Sequence, residues 1–71
     1  MFEYLLVLFP QARPVLLNGE VMGETNVVIE VQGGEYEVSL APPLDFTPPS
    51  RLVDLRNTSL GQPLTIKFEE A

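Results

Sequence analysis

The sequence predicts a small all-β domain, an antiparallel β-sandwich or barrel of roughly six or seven short strands. Three observations predict it. Apolar and polar side chains alternate residue by residue over several segments, as half-buried strands require. Seven prolines and five glycines cut the 71-residue chain into short pieces. No window of about eleven residues carries helical spacing of apolar side chains without a Pro or Gly break.

The first element is Phe2 to Phe9, read as a strand. It begins like a signal peptide, but it has no basic start, carries Glu3, and is followed by Pro10 and Pro14. Its apolar run is too short to cross a bilayer as a helix. The strand is apolar on both sides. If Phe2, Tyr4, Leu6 and Leu8 face inward, then Leu5, Val7 and Phe9 face outward beside Glu3. A surface strand is normally apolar on one side only. Two readings follow: the strand is covered on both faces, or Leu5, Val7 and Phe9 form a docking stripe for a partner.

The next elements are two expected hairpins. Asn18-Gly19 lies between Val15-Leu16-Leu17 and Glu20-Val21-Met22, and Asn-Gly favours a type I′ turn because both positions need positive φ. Tight pairing sets Leu17 against Glu20, Leu16 against Val21 and Val15 against Met22. Gly23 then ends or bends the arm. Downstream, Val27, Ile29 and Val31 alternate with Val28, Glu30 and Gln32, Gly33-Gly34 follows, and Tyr36, Val38 and Leu40 alternate with Glu35, Glu37 and Ser39. A hairpin at Gly33-Gly34 pairs Val31 with Tyr36, Ile29 with Val38 and Val27 with Leu40, all on one face.

Ala41 to Ser50 carries Pro42-Pro43 and Pro48-Pro49 and reads as a connecting loop, with room for a short edge strand in Leu44–Thr47. Arg51 to Arg56 places Val53 and Leu55 on one side of a strand. Asn57 to Pro63 is turn-rich. Leu64, Ile66 and Phe68 alternate with Thr65, Lys67 and Glu69 in a C-terminal strand.

One domain, residues 1–71, accounts for the whole length. A domain of this size buries only about 60% of its unfolded surface, so good packing or association must compensate. The formal net charge is −6, and the only cations are Arg13, Arg51, Arg56 and Lys67. Nucleic acid and anionic membrane surfaces are therefore poor partners. The chain has no Cys and no His, which removes disulfides, ordinary structural zinc and the familiar nucleophilic triads. With no export signal and no cysteine, the expected location is the cytoplasm.

The stretch Val15-Leu-Leu-Asn-Gly-Glu-Val-Met-Gly-Glu-Thr25, followed by Gly34-Glu-Tyr-Glu-Val38, resembles the PEGA domain family. Asn18, Gly19, Gly23, Thr25, Gly34, Tyr36 and Val38 sit at matching places, in the central third of the chain. Asn26 stands where the family usually has Pro, the tetrapeptide that names the family is absent, and an extra apolar strand precedes the motif. The resemblance implies a prealbumin-like or Ig-like sandwich with a non-catalytic role. It transfers no catalytic residues, and the family's frequent occurrence in exported proteins pulls against a cytoplasmic location.

The residues suggest little chemistry. A Ser–Lys dyad from Ser39, Ser50 or Ser59 with Lys67 has no supporting spacing. Glu30, Glu35 and Glu37 are expected to cluster on one exposed hairpin face, which reads as a solvated surface more readily than as an acid–base or cation site. The glycines explain turns and match no phosphate-cradling motif. The expectation is a non-enzymatic module, without cofactor or metal, that binds a protein partner or a second copy through Leu5, Val7 and Phe9. The alternative is a carbohydrate or small-ligand binding module, which wants exposed aromatics.

Overall fold

A computed structural model describes residues 1–71 and contains strands and no helix. The strands are β1 (Phe2–Leu8), β2 (Pro14–Leu17), β3 (Glu20–Glu24), β4 (Ile29–Gln32), β5 (Gly34–Leu40), β6 (Phe46–Thr47), β7 (Arg51–Leu55), β8 (Leu64–Lys67) and β9 (Glu69–Glu70). They form a sandwich-like pair of sheets, one of three strands in the order β4-β1-β8 and one of four in the order β3-β2-β5-β7. The short β6 and β9 pair as a separate ribbon. Every pairing is antiparallel except that of β1 with β8, which is parallel.

The Asn18-Gly19 hairpin forms as its residues dictate, with φ of 52° and 84° at the turn. Leu17 opposes Glu20 and Leu16 opposes Val21. The register then slips, so that Val15 meets Gly23 rather than Met22. Tertiary contact explains the slip. A Cβ on Gly23 would lie 2.6 Å from Ile29 Cγ1, so β3 can close on β4 only where the chain has no side chain.

The second expected hairpin is replaced by a crossing between sheets. β4 pairs with β1, setting Gln32 against Phe2 and Ile29 against Leu5, whereas β5 pairs with β2 and β7. Gly33 donates its N–H to the Met1 carbonyl, and Gly34, at φ 146°, turns the chain into the other sheet. Ile29 and Val38 thus face the core from opposite layers instead of opposing each other in one hairpin. Alternation decides which side chains are hidden; it does not decide which strand pairs with which.

β1 also turns the other way from the expected orientation. Leu5 and Val7 are completely buried and Phe9 nearly so, while Phe2 is 53% exposed and Tyr4, Leu6 and Leu8 are half-buried. The stripe Leu5, Val7 and Phe9 therefore belongs to the core and cannot dock a partner. Glu3 lies on this inner face because the 57–63 loop satisfies it. Its carboxylate accepts the Thr58 N–H at 2.9 Å and the Thr58 hydroxyl at 2.6 Å.

The core joins these residues to Val15, Leu17, Ile29, Val31, Val38, Leu40, Val53, Leu55 and Ile66. Phe46 makes edge-to-face contacts with Phe9 and Phe68 at one end. That end is closed by Arg13, whose guanidinium lies 5.2 Å from the Phe9 ring centroid. Arg13 holds Asp45 bidentately at 2.7 and 3.2 Å and donates to the carbonyls of Ala41 and Pro43. A charged side chain thus plugs each open end of the apolar layer, Glu3 at one and Arg13 at the other.

Candidate functional site

With one face of β1 in the core, its other face is the outer surface of the three-stranded sheet. Phe2, Tyr4, Leu6 and Leu8 run down the middle of that surface because alternate residues of a strand share a face. The register supplies the flanks. Gln32 stands beside Phe2 and Glu30 beside Tyr4 on one side; Thr65 stands beside Leu6 and Lys67 beside Leu8 on the other. Val28, just ahead of β4, is exposed as well. The result is an apolar stripe with a polar rim, the composition expected of a contact surface.

Tyr4 joins the stripe to its rim by donating its hydroxyl to Glu30 Oε2 at 3.3 Å. The Glu30 carboxylate opposes a second negative charge so close by and raises the Tyr4 hydroxyl above its ordinary range. Glu3, on the inner face, is held below the usual carboxylate range by the hydrogen bonds from Thr58. Asp45 is held low by its hydrogen bonds from Arg13, and Arg13 is raised in return.

The expected acidic cluster does not assemble. Glu30 projects from the three-stranded sheet, whereas Glu35 and Glu37 project from β5 in the other layer. No group of three or more Asp or Glu side chains is gathered to hold a metal ion. Ser39 donates to the Pro49 carbonyl and Ser50 to Glu37, so neither engages Lys67. Arg56 pairs with Asp54 at 2.8 Å, and Glu35 opposes Asp54 across the β5–β7 ladder.

Two open surface depressions are present. One lies along Glu35, Leu52, Val53 and Asp54; the other lies in the 56–65 loop region and has Leu64 as its one apolar wall. Neither includes Phe2, Tyr4, Leu6 or Leu8, so the stripe is a surface and not a cleft. Leu52 is 82% exposed but sits opposite Glu37 and next to Arg51 and Asp54, an isolated apolar side chain of the ordinary kind.

Apolar residues on both sides mark β1 as the unusual strand, and Leu5, Val7 and Phe9, the stripe offered for docking, are the buried side. No local signal identifies the buried face: Glu3 shares it with Leu5, Val7 and Phe9, and a carboxylate turns inward only because Thr58, far along the chain, donates to it. Arg13 and Thr25 are buried polar groups that alternation does not reveal. Thr25 is buried, accepts the Arg13 N–H and donates to the Gln11 carbonyl. No family model matches the chain, and no curated protein or solved structure matches it. No helix is long and apolar enough to cross a membrane.

Proposed function

We propose that this domain is a non-catalytic protein-binding module and that the outer face of the β4-β1-β8 sheet is its contact surface. One observation carries the reading: the central strand of that sheet is apolar on both faces, and only one of them is used by the core. Phe2 is exposed and Tyr4, Leu6 and Leu8 are only half-buried, and the apolar area they keep in water forgoes burial worth about 25 cal/mol per Å², which a partner recovers. The likeness of the central segment to PEGA domains fits a module of this kind, and the reading invokes no cofactor.

The test is site-specific photocrosslinking in cells that produce the protein, with the photoreactive residue at Leu6 and, as control, at Leu52. A discrete protein adduct from position 6 and none from position 52 is expected. No adduct from position 6, or equal labelling from both, contradicts the reading.

A carbohydrate ligand is the second reading. It draws on Phe2 and Tyr4, adjacent aromatics on this face with Gln32 and Glu30 beside them. The absence of any depression at these residues favours the protein reading, since small ligands are usually held in concave sites.

A further inference from the structure

Resting on that reading, we infer that the partner is a second copy of this chain, packed face to face across the β4-β1-β8 sheet with the two β1 strands crossing at a steep angle. The argument is electrostatic and geometric. The three strands contain only three charged side chains, Glu3, Glu30 and Lys67, and Glu3 is turned into the core. The outer face therefore carries one carboxylate and one ammonium. The strands of the other sheet carry Glu20, Glu24, Glu35, Glu37 and Asp54 against Arg51 alone. In a chain of net charge −6, the β4-β1-β8 surface is the sheet face on which two copies can meet without like-charge repulsion.

The placement of the two charges is self-complementary. Glu30 sits beside Tyr4 on β4, and Lys67 beside Leu8 on β8, on opposite sides of β1. Strand spacing of about 4.8 Å and a rise of about 3.3 Å per residue put them roughly 10 Å apart across the sheet and 13 Å apart along it. The midpoint of that diagonal falls on Leu6. A two-fold axis through Leu6, lying in the interface and perpendicular to the diagonal, brings each Glu30 over the other copy's Lys67. It also crosses the two β1 strands at roughly 70°, near the orthogonal class of sheet packing. The contact is isologous, with Leu6 meeting Leu6 at the axis and both ion pairs at the rim. The face measures only about 15 by 20 Å, less than the roughly 800 Å² per partner of a stable complex, so the dimer exchanges rapidly.

The experiment is sedimentation velocity on the whole chain over a dilution series, with wild type, Glu30→Lys, Lys67→Glu, and an equimolar mixture of the two variants. Both side chains are solvent-exposed, and circular dichroism checks that each variant keeps the wild-type fold. Wild type is expected to dimerise with concentration. Each single variant turns both ion pairs into like-charge contacts and is expected to weaken self-association about tenfold. The mixture is expected to recover wild-type association, because a heterodimer of the two variants restores opposite charges at both positions.

Wild type monomeric at every concentration, single variants that associate as well as wild type, or a mixture no better than its components would each overturn the dimer. The protein-binding reading fails separately. A Leu6 crosslink to a protein other than this chain, with a monomeric wild type, overturns the dimer and leaves that reading standing; no Leu6 crosslink at all removes both.

Discussion

Asn26 is tied to Phe9 in both directions: its Oδ1 accepts the Phe9 N–H at 3.2 Å, and its Nδ2 donates to the Phe9 carbonyl at 2.8 Å. A side-chain amide here replaces a backbone rung. The Asn26 backbone, at φ 68°, has already turned out of the extended conformation, and its own N–H reaches the Val7 carbonyl. The amide therefore satisfies the end of β1 at a point where β4 has not yet begun.

Asn26→Ala leaves two backbone groups of Phe9 without these partners and is expected to cost about 1–3 kcal/mol. Asn26→Asp keeps an acceptor for the N–H but loses the donor, and falls between wild type and Asn26→Ala. Urea unfolding monitored by circular dichroism checks the order. Equal stability of all three proteins would contradict the role assigned to the amide.

Gly23 and Ile29 are coupled through space. Gly23→Ala drives a methyl group into the Ile29 side chain and is expected to destabilise by about 1–3 kcal/mol. Ile29→Ala removes the obstructing atoms and itself costs about 2–5 kcal/mol. The double variant should be more stable than the sum of the single effects predicts, a favourable coupling measured by a double-mutant cycle. Strict additivity would mean that β3 and β4 do not close at this point.

The fold should weaken in acid through Glu3 and Asp45. Both carboxyls titrate lower in the folded chain than when free, Glu3 because Thr58 donates to it and Asp45 because Arg13 does. Their stabilisation is thus fully present above the ordinary carboxylate range, about 4, and is lost as pH falls through the lower folded values. Thermal melts at neutral and acidic pH should show a smaller acid-induced fall in Tm for Glu3→Gln than for wild type. Identical pH dependence in the two proteins would show that the Glu3–Thr58 contact contributes nothing.

Much of this architecture was legible in the residues. The Asn18-Gly19 turn announces itself because positive φ at adjacent positions admits few other dipeptides, and Leu17 and Leu16 meet their expected partners. Val53 and Leu55 on β7, and Ile66 on β8, are buried as their alternation requires. Information carried by distant neighbours was not legible. Gly33-Gly34 is compatible with a hairpin or a corner between layers, and the choice falls to β1, which takes β4 for itself. The parallel partnership of β1 and β8 spans nearly the whole chain and has no local signature.

The candidate surface was half legible for the same reason. Apolar residues on both faces of β1 mark the strand as exceptional. Which face is hidden depends on Thr58, more than fifty residues from Glu3 in the chain, donating to that carboxylate. Period-two patterning alone would turn the face that carries Glu3 toward water, and only the long-range hydrogen bonds from Thr58 let it turn inward.

The most direct test of the account compares lysine at two adjacent positions of β1. Val7→Lys places an ammonium among fully buried side chains and is expected to cost several kcal/mol, most of the stability of a domain this size. Leu6→Lys projects from the outer face with room for its ammonium to reach water, so urea unfolding should find it folded with a midpoint near that of wild type. A stable Val7→Lys beside an unfolded Leu6→Lys would mean that β1 is turned the other way, and the surface built on Phe2, Tyr4, Leu6 and Leu8 would not exist.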